Sequence, residues 1–449
     1  MKRSLLWFTN DLRIHDNAAL HAAAQRPRHL LCVYVIDTTQ RPYGALQQRI
    51  GTHRLRFLRE SLNDLDQRLR QYGQQLLVME GNPFTQLAQM IRQHQIQAVF
   101  ASEQAGLYER QQWQRLQQQY RFVEFCTLPT HTLFQREQLP FMLTELPATF
   151  SQFRRLVEPL SPPTLASTPA TLPPSLMDIA SRQRPSQPLT QRNAAPGDNE
   201  TTEAFRGGES AALSHLQHYF SSPHPAQYKH TRNALDDWNS STKFSPWLAN
   251  GALSVRILLQ HILDYEQQYG ANESTYWIKF ELLWREYFQW YAHCHGDALF
   301  AFTGIRQRKP LTCFYPERFR RWCNGNTPYP IVNACMNQLN ATGYLSNRGR
   351  QLVASALVNE LQLDWRHGAA YFEQQLIDYD VASNWGNWQY LAGVGADTRE
   401  KRHFNLEKQT MLYDPDGAFI RRWAPDQALL PLDMVDAADW PVTISGDRT

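Results

Sequence analysis

HLLCVYVID, residues 29–37, decides how the first part of the chain is read. It is one of five short apolar runs, the others being SLLWF (4–8), QLLVME (75–80), QAVFAS (97–102) and RFVEFC (121–126). Helical patterns lie between them, the longest being THRLRFLRESLNDLDQRLRQY from Thr52 to Tyr72. Apolar runs of strand length alternating with amphipathic helices predict a doubly wound parallel sheet, hence an α/β N-terminal domain over residues 1–130. No GxGxxG follows the first strand, so the dinucleotide fingerprint is absent. The Gln-rich LYERQQWQRLQQQY reads as a helix with a solvated face.

From Pro159 to Pro196 there are nine prolines among 38 residues, with many Ser, Thr and Gln. That composition builds no core and predicts a surface-wrapping interdomain linker, assigned to residues 131–205. After about Arg206 the pattern turns helical: GESAALSHLQHYF, STYWIKFELLWREYFQWYAHC, IVNACMNQLNATG and RGRQLVASALVNELQLDW. Residues 206–449 are therefore expected to form an all-α C-terminal domain, with a pocket where polar residues gather at helix ends.

The totals restrict the class. A chain of 449 residues fits two to three domains, and 42% hydrophobic residues support real cores. No run of about 18 apolar residues predicts a membrane span, and the N-terminal MKRSLLWFTNDLR lacks the shape of a signal peptide. Six scattered cysteines without a CxxC predict neither disulfides nor a zinc ribbon, so a cytoplasmic protein is expected. The HCH triplet at His293–His295 lacks a second ligand pair, and no metal site is expected. The net charge of +3 predicts no polyanion partner by itself. Of 45 basic residues, however, 38 are Arg, which suits phosphates and base stacking, or equally reflects a GC-rich genome.

Several polar clusters in the helical half look like a cofactor cradle. In SSTKFSPWLANG, Ser241, Thr242 and Ser245 precede a helix, where hydroxyls and free N–H groups suit a phosphate or serve as an ordinary cap. In ELLWREYF, Glu281, Trp284 and Arg285 share one helical face, as a pocket wall or as a buried salt bridge. GYLSNRGRQ places Asn347 and Arg350 at the head of a helix. DYDVASNWGNWQY (378–390) adds Asp378, Asp380 and Asn384; acids two apart stand about 200° round a helix, so one face cannot present both.

These stretches, together with LDWRHGAAYFEQQLIDYDVASNWGNWQYLAGVG, closely resemble the FAD domain of the photolyase/cryptochrome superfamily. WFTNDLRIHDNAAL, LPATFSQFRRLVE and YDPDGAFIRRWAP resemble its DASH cryptochrome branch, and the likeness spans nearly the whole chain outside the proline-rich linker. The resemblance implies FAD held by Tyr228, Ser241, Thr242, Lys243, Phe244, Ser245, Glu281, Arg285, Asn347, Arg350, Asp378, Asp380 and Asn384. It pairs Arg350 with Asp378 and sets Asn384 facing the flavin N5, where a neutral amide can donate or accept without titrating. Trp388 and Trp365 match an electron-transfer chain whose usual third member is here Thr312; Tyr315 or Phe314 are the candidate substitutes.

The activity implied is blue-light or UV-A-driven repair of cyclobutane pyrimidine dimers, a photolyase-type carbon–carbon lyase with Glu281, Trp284, Asn384, Trp388 and Trp365 as catalytic residues. Trp284, Gln351 and Tyr390 would bind the lesion. Gln351 and Tyr390 replace a Met and a Trp of double-strand enzymes, which weakens the stacking platform and favours single-stranded DNA. Arg154, Arg155, Arg348, Arg399, Lys401, Arg402, Arg421 and Arg422 are candidate phosphate contacts, though for any one of them solvated surface is the more ordinary role. A folate antenna, 5,10-methenyltetrahydrofolate, is implied at the domain interface with Glu109 as its contact, and a monomer is expected. The alternative is a blue-light photoreceptor that signals through DNA or partner binding, though only about 25 residues follow WAPD to serve as a signalling tail.

Overall fold

The computed structural model describes residues 3–25, 28–39, 50–177, 205–396 and 402–425. Five strands, β1 (Arg3–Phe8), β2 (His29–Asp37), β3 (Leu76–Gly81), β4 (Ala98–Ser102) and β5 (Glu124–Leu128), form one sheet in the order β3-β2-β1-β4-β5. Every pairing is parallel. Alternate residues feed two separate cores. Leu5, Leu31, Val33 and Val99 pack under α3 (Pro83–Gln93) and α4 (Leu107–Gln119). Leu6, Leu30, Cys32 and Phe100 pack under α1 (Ala18–Gln25) and α2 (Thr52–Arg70). Burial on both faces is why HLLCVYVID is apolar without alternation. β5 begins three residues later than RFVEFC suggests. The Val123 N–H closes a turn on the Tyr120 carbonyl at 2.9 Å, which leaves Arg121 and Phe122 in solvent.

The stretch assigned to a linker divides in two. Leu133, Phe134, Phe150, Phe153 and Val157 are buried in the core of the helical half, the last three on α5 (Phe150–Val157), which Thr149 caps. Residues 133–157 thus belong to the helical body, because their apolar side chains lie ahead of the proline-rich composition that starts at Pro159. From there the chain runs back along the α/β half: the Ala166 N–H meets Asp16 Oδ1 at 2.8 Å and the Leu30 N–H meets the Pro174 carbonyl at 3.0 Å. The rest of the proline-rich stretch, 178–204, lies outside the described residues.

The helical half comprises α6 (Glu209–Phe220), α7 (Tyr228–Thr231), α8 (Ser245–Ala249), α9 (Val255–Tyr269), α10 (Glu273–His295), α11 (Pro316–Cys323), α12 (Pro330–Thr342), α13 (Asn347–Ser355), α14 (Trp365–Gln375), α15 (Val381–Leu391), α16 (Leu406–Tyr413) and α17 (Ala418–Trp423). Among the described residues, no helix is long and apolar enough to cross a membrane.

Buried charges lock the halves together. Arg13, 1% exposed, donates to the carbonyls of Thr130 and Gly251 at 2.8 Å each, and to those of His15 and Asp16 at 3.0 Å. Gly251 has φ +72° and passes so close to Asn10 that a Cβ would lie 1.8 Å from its carbonyl oxygen, so this approach needs glycine. On α10, Glu286 accepts the N–H groups of Leu133 and Phe134 at 2.7 and 3.2 Å and the Trp290 indole at 2.8 Å. Burial pushes its pKa up, while these donors hold it down. Glu286→Ala would strand two main-chain donors in the core and is expected to lower stability by about 2–4 kcal/mol in urea unfolding followed by circular dichroism.

Candidate cofactor site

The helical half contains two neighbouring cavities that share part of their lining. Tyr228, Ser241, Thr242, Lys243, Phe244, Ser245, Glu281, Arg285, Asn347, Arg350, Asp378 and Asp380 line the first. The second shares Ser245, Asn347, Arg350, Asp378 and Asp380, and adds Asn384, Gln351 and Trp388. All thirteen residues that the resemblance assigns to the cofactor therefore line one or both of these neighbouring cavities.

The two acids of DYDVASNWGNWQY separate cleanly because the helix starts after them. Asp380 is the N-cap of α15: it accepts the Ser383 N–H at 2.7 Å and also the Gln289 amide at 3.0 and 2.9 Å. Asp378 stands before the cap, 3% exposed at its side chain, and accepts Arg350 Nη2 at 2.7 and 3.0 Å and Ser245 Oγ at 2.7 Å. Arg350 also donates to the Leu345 carbonyl at 2.8 Å. Asn384, one turn into α15, donates to the Ala369 carbonyl at 3.0 Å, which fixes the orientation of its amide.

Elsewhere on the wall of the first cavity stand cationic and hydroxylic groups. Lys243 has φ +55°, an uncommon backbone state for a lysine, and its ammonium lies 4.8 Å from the centre of the Tyr344 ring. Burial pushes the Tyr228 phenol well above its ordinary pKa, so it remains a hydroxyl donor. Glu281 pairs with Arg232; burial raises its pKa and Arg232 opposes that rise. No Glu281–Arg285 bridge forms. Arg285 instead donates to the carbonyls of His131 at 2.6 Å and Leu248 at 3.4 Å.

Trp284 and Tyr390 stand beside the cavities rather than among their lining residues. Trp284 stacks on Phe150 at 3.8 Å with planes 14° apart and meets Tyr390 edge-on at 5.9 Å. Trp388 meets Trp322 edge-on at 6.3 Å, and Trp365, fully buried, meets Trp385 edge-on at 5.8 Å. Near Thr312, Phe314 stacks on His367 at 3.9 Å and Tyr315 is 42% exposed.

Of the candidate phosphate contacts, Arg154 bonds the Tyr276 hydroxyl at 2.7 Å, Arg155 is exposed, and Arg348 bonds Asn233 at 3.1 Å. Arg402 lies over the Tyr390 ring at 4.0 Å, Arg421 is exposed, and Arg422 pairs with Asp236 at 3.0 Å. Arg399 and Lys401 lie outside the described residues. Glu109 is on α4 and lines two cavities of the α/β half. One opens at the C-terminal ends of β1 and β4 beside Trp7, Gln104 and Trp113, where open parallel sheets take ligands. The other also meets Arg54, Tyr379 and Val381, at the junction with the helical half.

Sequence reasoning missed Arg232, Gln289, Tyr344 and Phe150. Arg232 follows Tyr228 by one helical turn and Gln289 lies eight residues after Glu281 on α10, so spacing could have nominated both. Phe150 comes from the stretch taken for linker, and only the tertiary contact reveals it.

The donor set suits a dinucleotide of FAD type: hydroxyls and cations for phosphates at one end, an amide and oriented carboxylates for a polar ring edge at the other. A parallel-sheet domain joined to a helical domain with such a cradle defines a flavin-binding, two-domain class. Residues 4–173 match the family model described as DNA photolyase, and residues 277–446 match the FAD binding domain of DNA photolyase. A cryptochrome DASH of Idiomarina loihiensis is 56% identical over 439 residues, covering 98% of this chain and 96% of its own length. One of Vibrio parahaemolyticus is 48% identical over 452 residues, covering 100% and 99%. The crystal structure of a Synechocystis cryptochrome aligns with TM-score 0.86 at 37% identity, covering 98% of this chain and 93% of its own.

The chain belongs to the photolyase/cryptochrome family, in its cryptochrome DASH group, and carries that family's FAD-binding domain. Replacing Asp378 by Asn removes the charge that holds Arg350 and Ser245. The flavin-to-protein absorbance ratio of the purified variant is expected to fall, with FAD affinity about tenfold weaker or worse by fluorescence titration.

Proposed function

We propose that this chain is a light-driven lyase that repairs cyclobutane pyrimidine dimers, preferentially in single-stranded DNA. The observation that carries the reading is the wall the two cavities share: Gln351, assigned to the lesion, and Asn384 and Trp388, assigned to electron transfer, line a cavity that has Ser245, Asn347, Arg350, Asp378 and Asp380 in common with the FAD cradle. FAD, held by the cradle around Arg350 and Asp378, would supply one-electron chemistry to the lesion.

This chain's residues do the rest. In this reading Glu281, whose pKa burial raises, hydrogen-bonds the edge of a flipped pyrimidine. Trp284 and Tyr390 offer ring faces beside the opening, and Gln351 makes the lesion wall polar. Extruding a dimer from a duplex costs a few kcal/mol, which a weak platform does not offset, whereas a single strand asks for less. Trp388 is the entry point for electrons from the protein, with Trp365 as the second assigned member. The cavities lined by Glu109 are the proposed place of a methenyltetrahydrofolate antenna. A cytoplasmic monomer completes the proposal.

Dimer-containing single- and double-stranded oligomers illuminated with the reduced protein test the reading. Dimer loss is expected, faster on the single strand; no loss on either leaves a light receptor without repair. Trp388→Phe is expected to abolish light-driven flavin bleaching in the presence of an external thiol, read as absorbance against time, while flavin content stays as in the parent.

A further inference from the structure

An unbroken row of aromatic rings runs from the N-terminal half of α10 to the cavity mouth. Trp277 meets Phe280 at 4.5 Å, Phe280 meets Phe150 at 5.1 Å, Phe150 stacks on Trp284 at 3.8 Å, and Trp284 meets Tyr390 at 5.9 Å. Trp277, Phe280 and Trp284 stand at i, i+3 and i+7, so they share one face of α10, and Glu281 on the same face lines the first cavity. Apart from buried Phe150, these rings are partly buried, each keeping some surface open to solvent.

Three of the rings carry a cation. Arg232 lies 4.5 Å from the centre of Trp277, with Lys229 at 5.8 Å on the same ring. Arg154 lies 5.4 Å from Phe280, and Arg402 lies 4.0 Å from Tyr390. Arg232, Lys229 and Arg154 are also partnered by Glu281, Glu273 and Glu158, which keep them on the rings while no polyanion is present.

We propose that this row is a track for the unmodified nucleotides flanking a lesion in single-stranded DNA, with Trp277 as its outer stacking platform. The inference rests on the repair reading for its substrate. Partly exposed rings interleaved with Arg and Lys are what sequence-tolerant single-strand binding needs, since every base has a π-face and every nucleotide a phosphate. A duplex keeps its bases paired and offers no free faces to the row, so the track favours single strands over duplexes. From Trp277 to Trp284 the helix rises about 10 Å, room for roughly two or three nucleotides. Trp277 is a specificity-determining residue in this account, outside both cavities.

The test measures binding of undamaged labelled dT12, a 12-base-pair duplex and a dimer-containing dinucleotide to FAD-loaded parent, Trp277→Ala and Trp277→Phe, by fluorescence anisotropy over a salt series. Trp277→Ala is expected to weaken dT12 binding roughly ten- to a hundredfold. The salt slope should hardly move, because phosphate contacts remain. Trp277→Phe should recover most of the affinity, and flavin content should match the parent. The dinucleotide is too short to reach Trp277 and sets the reference. Unchanged dT12 affinity in Trp277→Ala, or an equal loss on the duplex or the dinucleotide, overturns the track. Dimer splitting by the illuminated parent is scored separately. If it fails while dT12 binding still depends on Trp277, repair falls and the single-strand track stands.

Discussion

The ion pair of Asp378 with Arg350 is the constraint on which the cofactor site depends. Asp378 also accepts the Ser245 hydroxyl, so one buried carboxylate joins segments 133 and 28 residues away along the chain. Asp378 thus gives the start of α8, the head of α13 and the entry to α15 a shared anchor on the cavity wall. A carboxylate this buried is stable only with charged and hydrogen-bonded partners, and here it has both. The charge that organises the site is thus held by the site's own walls.

A second set of buried charges fixes the site relative to the α/β half. Arg13 reaches carbonyls on both sides of the junction, and Glu286 holds the Leu133 and Phe134 amides against α10. Glu209 does the same for the Ile14 and His15 amides; burial would raise its pKa, but His15, the Ile14 amide and Arg68 bring it below the usual carboxylate range. Because α10 carries both Glu286 and Glu281, a shift at the junction would be felt at the mouth of the cavity, two helical turns or less away. The contacts that hold the junction and the wall of the first cavity therefore share one helix.

The face of α10 that opens to the surface is unusual in joining rings to cations rather than to acids alone. Trp277, Phe280 and Trp284 are partly buried against the core, and the guanidinium groups over Trp277 and Phe280 cover apolar surface there. The same arrangement is suited to a polyanion with stacking bases. Chemistry at the cavity and recognition along the helix then follow from a single amphipathic pattern.

The sequence by itself determined the parallel α/β layer and the helical second half, and its polar motifs supplied residues that line the two cavities. Each is written in local pattern: apolar runs of strand length, helical periodicity, and compact polar motifs whose members lie within a dozen residues of one another. Tertiary structure decided what those residues do to each other. It sent Glu281 to Arg232 instead of Arg285, set Asp380 on the helix cap and Asp378 before it, and took residues 133–157 from the linker into the helical core. It also built the aromatic row, since Phe150 comes from a distant segment. The physical reason is that partners far apart in sequence leave no periodic trace, while burial, once the chain has closed, dictates which charge must meet which donor.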